Sequence, residues 1–79
     1  LAPFGVRVNA VAPGYVNTSM QQRKPAAVLQ SSIDKVPLGR IADPDEIAKV
    51  VMFLLSDMAS YVTGETVVTD GGVMAKYVY

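Results

Sequence analysis

The apolar positions fall into two short strand-like runs that flank a polar middle and one broad helical pattern. Val6-Arg7-Val8-Asn9-Ala10-Val11-Ala12 is β-prone and apolar at adjacent positions apart from Arg7 and Asn9, as in strands of a parallel sheet covered on both faces. Pro13-Gly14 ends the run with a turn signal. Tyr15 to Arg40 is more polar and carries Pro25, Pro37 and Gly39. Within it, Ala26 to Val36 predicts a helix with a narrow stripe of Ala26, Leu29, Ile33 and Val36, since Gln30 stands where a fifth apolar residue would widen it. The next helix is the best marked. Asp43 suits its N-cap, Pro44 the first helical position and Glu46 the third, a variant of the capping box. Ile47, Val50, Val51, Leu54, Leu55 and Met58 recur at helical spacing, and Met52 and Phe53 widen the surface, so this helix asks for burial on more than one side. Glu65 to Asp70 predicts a second strand, closed by Gly71-Gly72. Strand, excursion, helix, strand is a crossover unit, which predicts two parallel neighbours joined right-handedly.

Two strands make poor use of this much apolar surface. A chain of 79 residues, 51% of them hydrophobic, with no Cys and no His, has neither disulfides nor the commonest zinc ligands to steady it. The composition therefore predicts a segment that belongs inside a larger core. The absence of Cys suits a reducing, cytoplasmic location. Seven Lys+Arg balance seven Asp+Glu, and the cations are scattered, so phosphate neutralisation and nucleic-acid binding have no support. The longest apolar stretch, Val50 to Leu55, is too short to span a bilayer, and without a positively charged start before an apolar run no signal peptide is expected. The opening Leu1-Ala2-Pro3, without Met, is expected of a truncation or cleavage product.

Other candidate chemistry is thin. Asp43, Asp45 and Glu46 invite a metal, but their capping places explain them better. Arg23-Lys24 reads as a solvated loop rather than a phosphate contact, and Asn9 as a structural hydrogen-bonding group rather than a catalytic one.

The run from Gly5 to Thr18 resembles the sixth strand and following loop of the short-chain dehydrogenase/reductase family. Pro37-Leu38-Gly39-Arg40, Pro44-Asp45-Glu46-Ile47-Ala48, Phe53 to Asp57, Ala59 to Gly64 and Asp70-Gly71-Gly72 resemble the same family in its order and spacing. Only Val73 to Tyr79 lies outside the likeness. The resemblance implies an α/β fold in which residues 1–79 form the C-terminal part of a Rossmann-type doubly wound parallel sheet, its last two strands with their crossover helices. It implies a complete protein that transfers hydride between NAD or NADP and a small-molecule carbonyl or alcohol substrate. Ligands in such sheets sit beyond the carboxyl ends of the strands, where Pro13 to Thr18 falls. By resemblance, Pro13 and Gly14 form the wall beside the nicotinamide, the Val16 backbone holds the carboxamide, and the Thr18 hydroxyl bonds the carboxamide or a phosphate. Residue chemistry agrees, because glycine permits close approach and position 16 offers a backbone donor and acceptor. Thr18 also suits a helix N-cap.

The resemblance further implies a substrate-covering flap over Tyr15 to Arg40, with Met20 and Leu29 as apolar substrate contacts, and a homo-oligomer packed through the long helix and last strand. The family's Tyr-x-x-x-Lys acid/base pair is absent, since Ser19 follows Tyr15 and Glu65 follows Tyr61 at that spacing, while Tyr77 and Tyr79 lie too near the end. The glycine-rich phosphate loop is absent as well, because Gly71-Gly72 follows a strand but opens no helix. No catalytic residue and no metal ligand is therefore assigned, and the chain alone is expected to be inactive. Residues that separate NAD from NADP lie in the part of the family's fold that this chain lacks. The alternative is a non-catalytic binding or assembly module derived from such an enzyme, partnered by copies of itself or by the remainder of a parent chain.

Overall fold

The computed structural model describes residues 1–75; Tyr77 and Tyr79, considered above as acid/base candidates, lie outside the described residues. After a 3-10 turn at Ala2–Phe4 come strand β1 (Ala10–Pro13), helices α1 (Ser19–Gln22), α2 (Ala26–Asp34) and α3 (Pro44–Leu55), a 3-10 turn at Asp57–Ala59, and strand β2 (Thr66–Thr69). The strands pair in parallel, Ala10 opposite Thr66 through Pro13 opposite Thr69.

Strand β1 is shorter than the run Val6–Ala12 predicts. The chain before β2 is still turning when it passes Val8 and Asn9, so side chains stand in for ladder bonds. Val8 N–H donates to Thr63 Oγ1 at 3.1 Å, and Gly64 N–H donates to the Val8 carbonyl at 2.8 Å. The Asn9 amide works in both directions, donating to the Val62 carbonyl and accepting from Glu65 N–H, each at 3.0 Å. Arg7 reaches the carbonyls of Val62 and Ser56 at 3.2 and 3.4 Å. The two polar interruptions in the first apolar run are thus the clamps that hold the two strand entrances together, and Asn9 is structural, as expected.

Helix α3 begins where its sequence marks it. Asp43 is the extended N-cap and Pro44 the first helical residue. The Glu46 carboxylate accepts from Asp43 N–H at 2.9 Å, satisfying a donor the helix cannot pair internally. At the other end the Ser56 hydroxyl donates to the Phe53 carbonyl at 2.7 Å and accepts from Met58 N–H at 3.2 Å, turning the chain into the 3-10 segment.

The packing is incomplete. Among the described residues the buried apolar side chains are Val36, Leu54 and Ala59. Val11 and Leu54 line a groove between β1 and α3, whereas Val68 on the opposite sheet face is 52% exposed. Met52 and Leu55 stand out from α3 at 68% and 78% exposure, and Met58 from the 3-10 turn after it at 81%. The radius of gyration is 15.2 Å, against about 12 Å for a compact domain of this length. Helix α3 is apolar around much of its girth, and one sheet face cannot cover it.

Candidate functional site

The loop that leaves β1 lies beyond the carboxyl ends of both strands. Pro13 closes the ladder opposite Thr69, and Gly14 N–H continues it to the Thr69 carbonyl at 3.0 Å. The chain then finds a second partner. Val16 forms a parallel bridge with Ala42, through Ala42 N–H to the Tyr15 carbonyl at 2.9 Å and Asn17 N–H to the Ala42 carbonyl at 2.7 Å. In that pattern the bridging residue's own amide and carbonyl point to the other edge. The Val16 carbonyl accepts from Thr18 N–H at 2.8 Å, which leaves one lone pair. Its N–H has no hydrogen-bond acceptor among the described residues. Thr18 is the N-cap of α1, but its hydroxyl makes no cap bond. The four sequence-selected residues are therefore brought together on one loop, with a backbone donor, part of a backbone acceptor and a hydroxyl to spare.

The glycine at position 14 has a cause that sequence reading missed. A Cβ there would lie 2.7 Å from Asp70 Cβ and 2.8 Å from Asp70 Cα. Contact with Asp70, the residue just after β2, requires glycine at this point, whatever else approaches the loop. Ala12, Pro13, Gly14 and Tyr15 form one side of an open cleft of about 510 Å³, with Val68, Asp70, Val73 and Met74 on the other.

Asp70 shapes that other side. Its carboxylate oxygens accept from Gly72 N–H and Met74 N–H, each at 2.9 Å. Those two backbone donors, Met74 first, hold its pKa below the ordinary aspartate value.

Residues 18–40 leave and return to this base. Helix α2 ends at Asp34, short of the predicted Val36; it turns Ser32 inward and leaves Ile33 and Leu29 half-buried, and Val36 is buried just beyond it, so a serine joins the expected apolar stripe. Its hydroxyl is held by the Val28 carbonyl at 3.4 Å, which makes the burial tolerable. Met20 is 72% exposed on α1, and Arg23 is exposed just after it.

The returning end is fastened by a fork. Arg40 donates to both Glu46 oxygens at 2.6 and 2.7 Å. The Arg40 bond and then the Asp43 N–H hold the Glu46 pKa down at about 2, while Glu46 raises that of Arg40. The capping pattern identified Glu46; Arg40, six residues earlier and outside the helix, gave no periodic signal. Among the described residues no group of three or more His, Cys, Asp or Glu side chains is placed to hold a metal. No described helix is long and apolar enough to cross a membrane.

The sequence model of one family, described as Enoyl-(Acyl carrier protein) reductase, matches residues 1–74. The chain belongs to the short-chain dehydrogenase/reductase family. It is 45% identical over 74 residues to a 3-oxoacyl-[acyl-carrier-protein] reductase of Thermotoga maritima, covering 94% of this chain and 30% of that protein. It is 53% identical over 66 residues to a 3alpha-hydroxysteroid dehydrogenase of Mediterraneibacter gnavus, covering 84% of this chain and 26% of that one. The crystal structure of a 3-oxoacyl-[acyl-carrier protein] reductase from Brucella melitensis superposes with a TM-score of 0.89 at 38% identity, over 91% of this chain and 27% of that chain. The fold is accordingly the Rossmann-type α/β class of this family, and the chain spans less than a third of the length of these relatives.

Proposed function

We propose that residues 1–79 supply the last two strands of a complete short-chain dehydrogenase/reductase domain, and that the whole protein is an NAD(P)-dependent oxidoreductase acting on a small carbonyl or alcohol substrate. The observation that carries this reading is the loop 13–18, set beyond the ends of two parallel strands with its Val16 amide and Thr18 hydroxyl uncommitted. These groups fit a nicotinamide carboxamide, which needs one donor and one acceptor at fixed separation. Pro13 and Gly14 wall the ring, the Val16 backbone orients the carboxamide, and Thr18 bonds the carboxamide or a phosphate.

The cofactor, when bound, supplies or accepts the hydride. The chain's own part is to hold the ring's polar end rigidly, so that one ring face meets the substrate, and to exclude water with the flap within Tyr15 to Arg40. The acid/base pair and the phosphate loop come from the rest of the domain, so the 79-residue chain alone is inactive. The names of the relatives support a reductase or dehydrogenase chemistry without choosing a substrate or choosing NAD over NADP. The exposed residues of α3, Met52 and Leu55 above all, support packing against further elements or a second copy.

A non-catalytic assembly module is the second reading, favoured by that same apolar surface. Titration of the complete polypeptide with NADH and NADPH separates the two. Saturable binding of either, weakened roughly tenfold by Thr18→Val through loss of one hydrogen bond to the cofactor, is expected of the oxidoreductase. A complete polypeptide that binds neither dinucleotide, or a 79-residue chain that reduces a carbonyl unaided, overturns the proposal.

A further inference from the structure

The turn that follows β2 touches both halves of the proposed site. On one side Asp70 packs on Gly14, the start of the cofactor-side loop. On the other, Gly71 meets the end of the flap. A Cβ on Gly71 would lie 2.6 Å from Val36 Cγ1, and one on Gly72 would lie 3.2 Å from Pro37 Cγ. Both glycines have positive φ, 66° and 97°. Leu38 N–H also donates to the Gly71 carbonyl at 3.1 Å. Asp70 holds the turn closed through its two carboxylate bonds to Gly72 and Met74.

We infer that Gly71 and Gly72 are positioning residues that seat the flap base against the turn and so tie the flap's attitude to the loop at Gly14. Val36 is one of three buried apolar side chains among the described residues, and it lies directly against the Gly71 position. A methyl group at position 71 has no void to enter, and the object it meets is the flap's own anchor. Either Val36 shifts, by rotation or departure, or the flap tilts. Neither requires β1, β2 or α3 to change, because those are held by the Asn9 clamp and the α3 cap. The functional meaning of the seat rests on the oxidoreductase reading, in which the flap covers substrate; its mechanical part does not.

The test is hydrogen exchange on the complete polypeptide carrying Gly71→Ala, with Gly64→Ala as control. Gly64 has nearly the same φ, 73°, but nothing within 4 Å of its Cβ position, so it carries the backbone strain without the collision. Exchange across 26–38 is expected to quicken about tenfold over the control while α3 stays within about twofold, since local openings need not involve the whole fold. Adding Val36→Ala to Gly71→Ala is expected to bring flap exchange back to within about threefold of wild type, as relief of one contact pair should. The carbonyl KM rises and the NAD(P)H dissociation constant stays within about twofold, a split that general destabilisation does not produce. If Gly71→Ala does not fold, Gly72→Ala applies the milder collision with Pro37 and is expected to quicken flap exchange about threefold.

Flap exchange equal to that of Gly64→Ala, or a Val36→Ala substitution that worsens the defect, overturns the seat. The predicted exchange pattern in a polypeptide that neither binds NAD(P)H nor reduces a carbonyl upholds the seat and removes the oxidoreductase reading.

Discussion

The strand-and-helix frame and the flap are held by different kinds of contact. In the frame, the Asn9 amide, the Thr63 hydroxyl and the Arg7 guanidinium bind backbone groups far along the chain, with Arg7 and Asn9 reaching Ser56, Val62 and Glu65. In the flap, the side-chain hydrogen bonds are local, Gln22 to Asn17 and Gln30 to Asp34, and attachment to the rest is confined to its base. The frame is thus defined by bonds that exist in one register only, whereas the flap can move without breaking any of them. In the oxidoreductase proposed above, such a division would separate a fixed wall for the cofactor from a cover that admits substrate.

The frame should therefore break most readily at its core. Leu54→Ala, measured by denaturant unfolding of the complete polypeptide, is expected to cost about 2–5 kcal/mol, as truncations of buried leucines do. A loss below about 1 kcal/mol would mean that Leu54 is not core in the complete domain. Asn9→Leu comes next. It removes both halves of the clamp, leaving Glu65 N–H unpaired and the Val62 carbonyl with Arg7 alone, for about 1–3 kcal/mol. Flap exchange should not follow it beyond that global change; a flap-specific effect would dissolve the distinction between the two regions.

The smallest effect belongs to the flap's fork. Arg40 and Glu46 are 57% and 37% exposed, so salt screens them and Glu46→Gln should loosen residues 37–43 without unfolding the frame. The sign with pH is set by the depressed carboxylate. The tie is intact above the ordinary glutamate value of 4.5 and is lost as pH falls through about 2. The Asp43 amide resonance should report that titration with a midpoint near 2, and a midpoint at 4.5 would show that the fork does not form in solution.

Local signals account for what the sequence revealed. Asp43, Pro44 and Glu46 announce α3 because caps act within one turn. Pro13-Gly14 marks the end of β1 for the same reason. The residues missed are those whose partners lie far away. Asp70 explains Gly14, Ala42 pairs with Val16, and Val36 explains Gly71, at separations that no periodicity records. Strand β1 is shorter than its pattern predicts, because side-chain clamps at Arg7 and Asn9 replace the ladder there. The Val16, Thr18 and flap assignments came from family likeness, which carries the arrangement of a whole fold that residue chemistry alone cannot supply.

Equilibrium denaturation of the isolated 79-residue chain, with its mass in solution measured alongside, bears most directly on whether this segment is made to complete a larger sheet. With three buried apolar side chains among the described residues and the outer faces of α3 and β2 uncovered, it should give a broad, non-cooperative transition or associate with itself. A sharp two-state transition from a monomer would contradict that account.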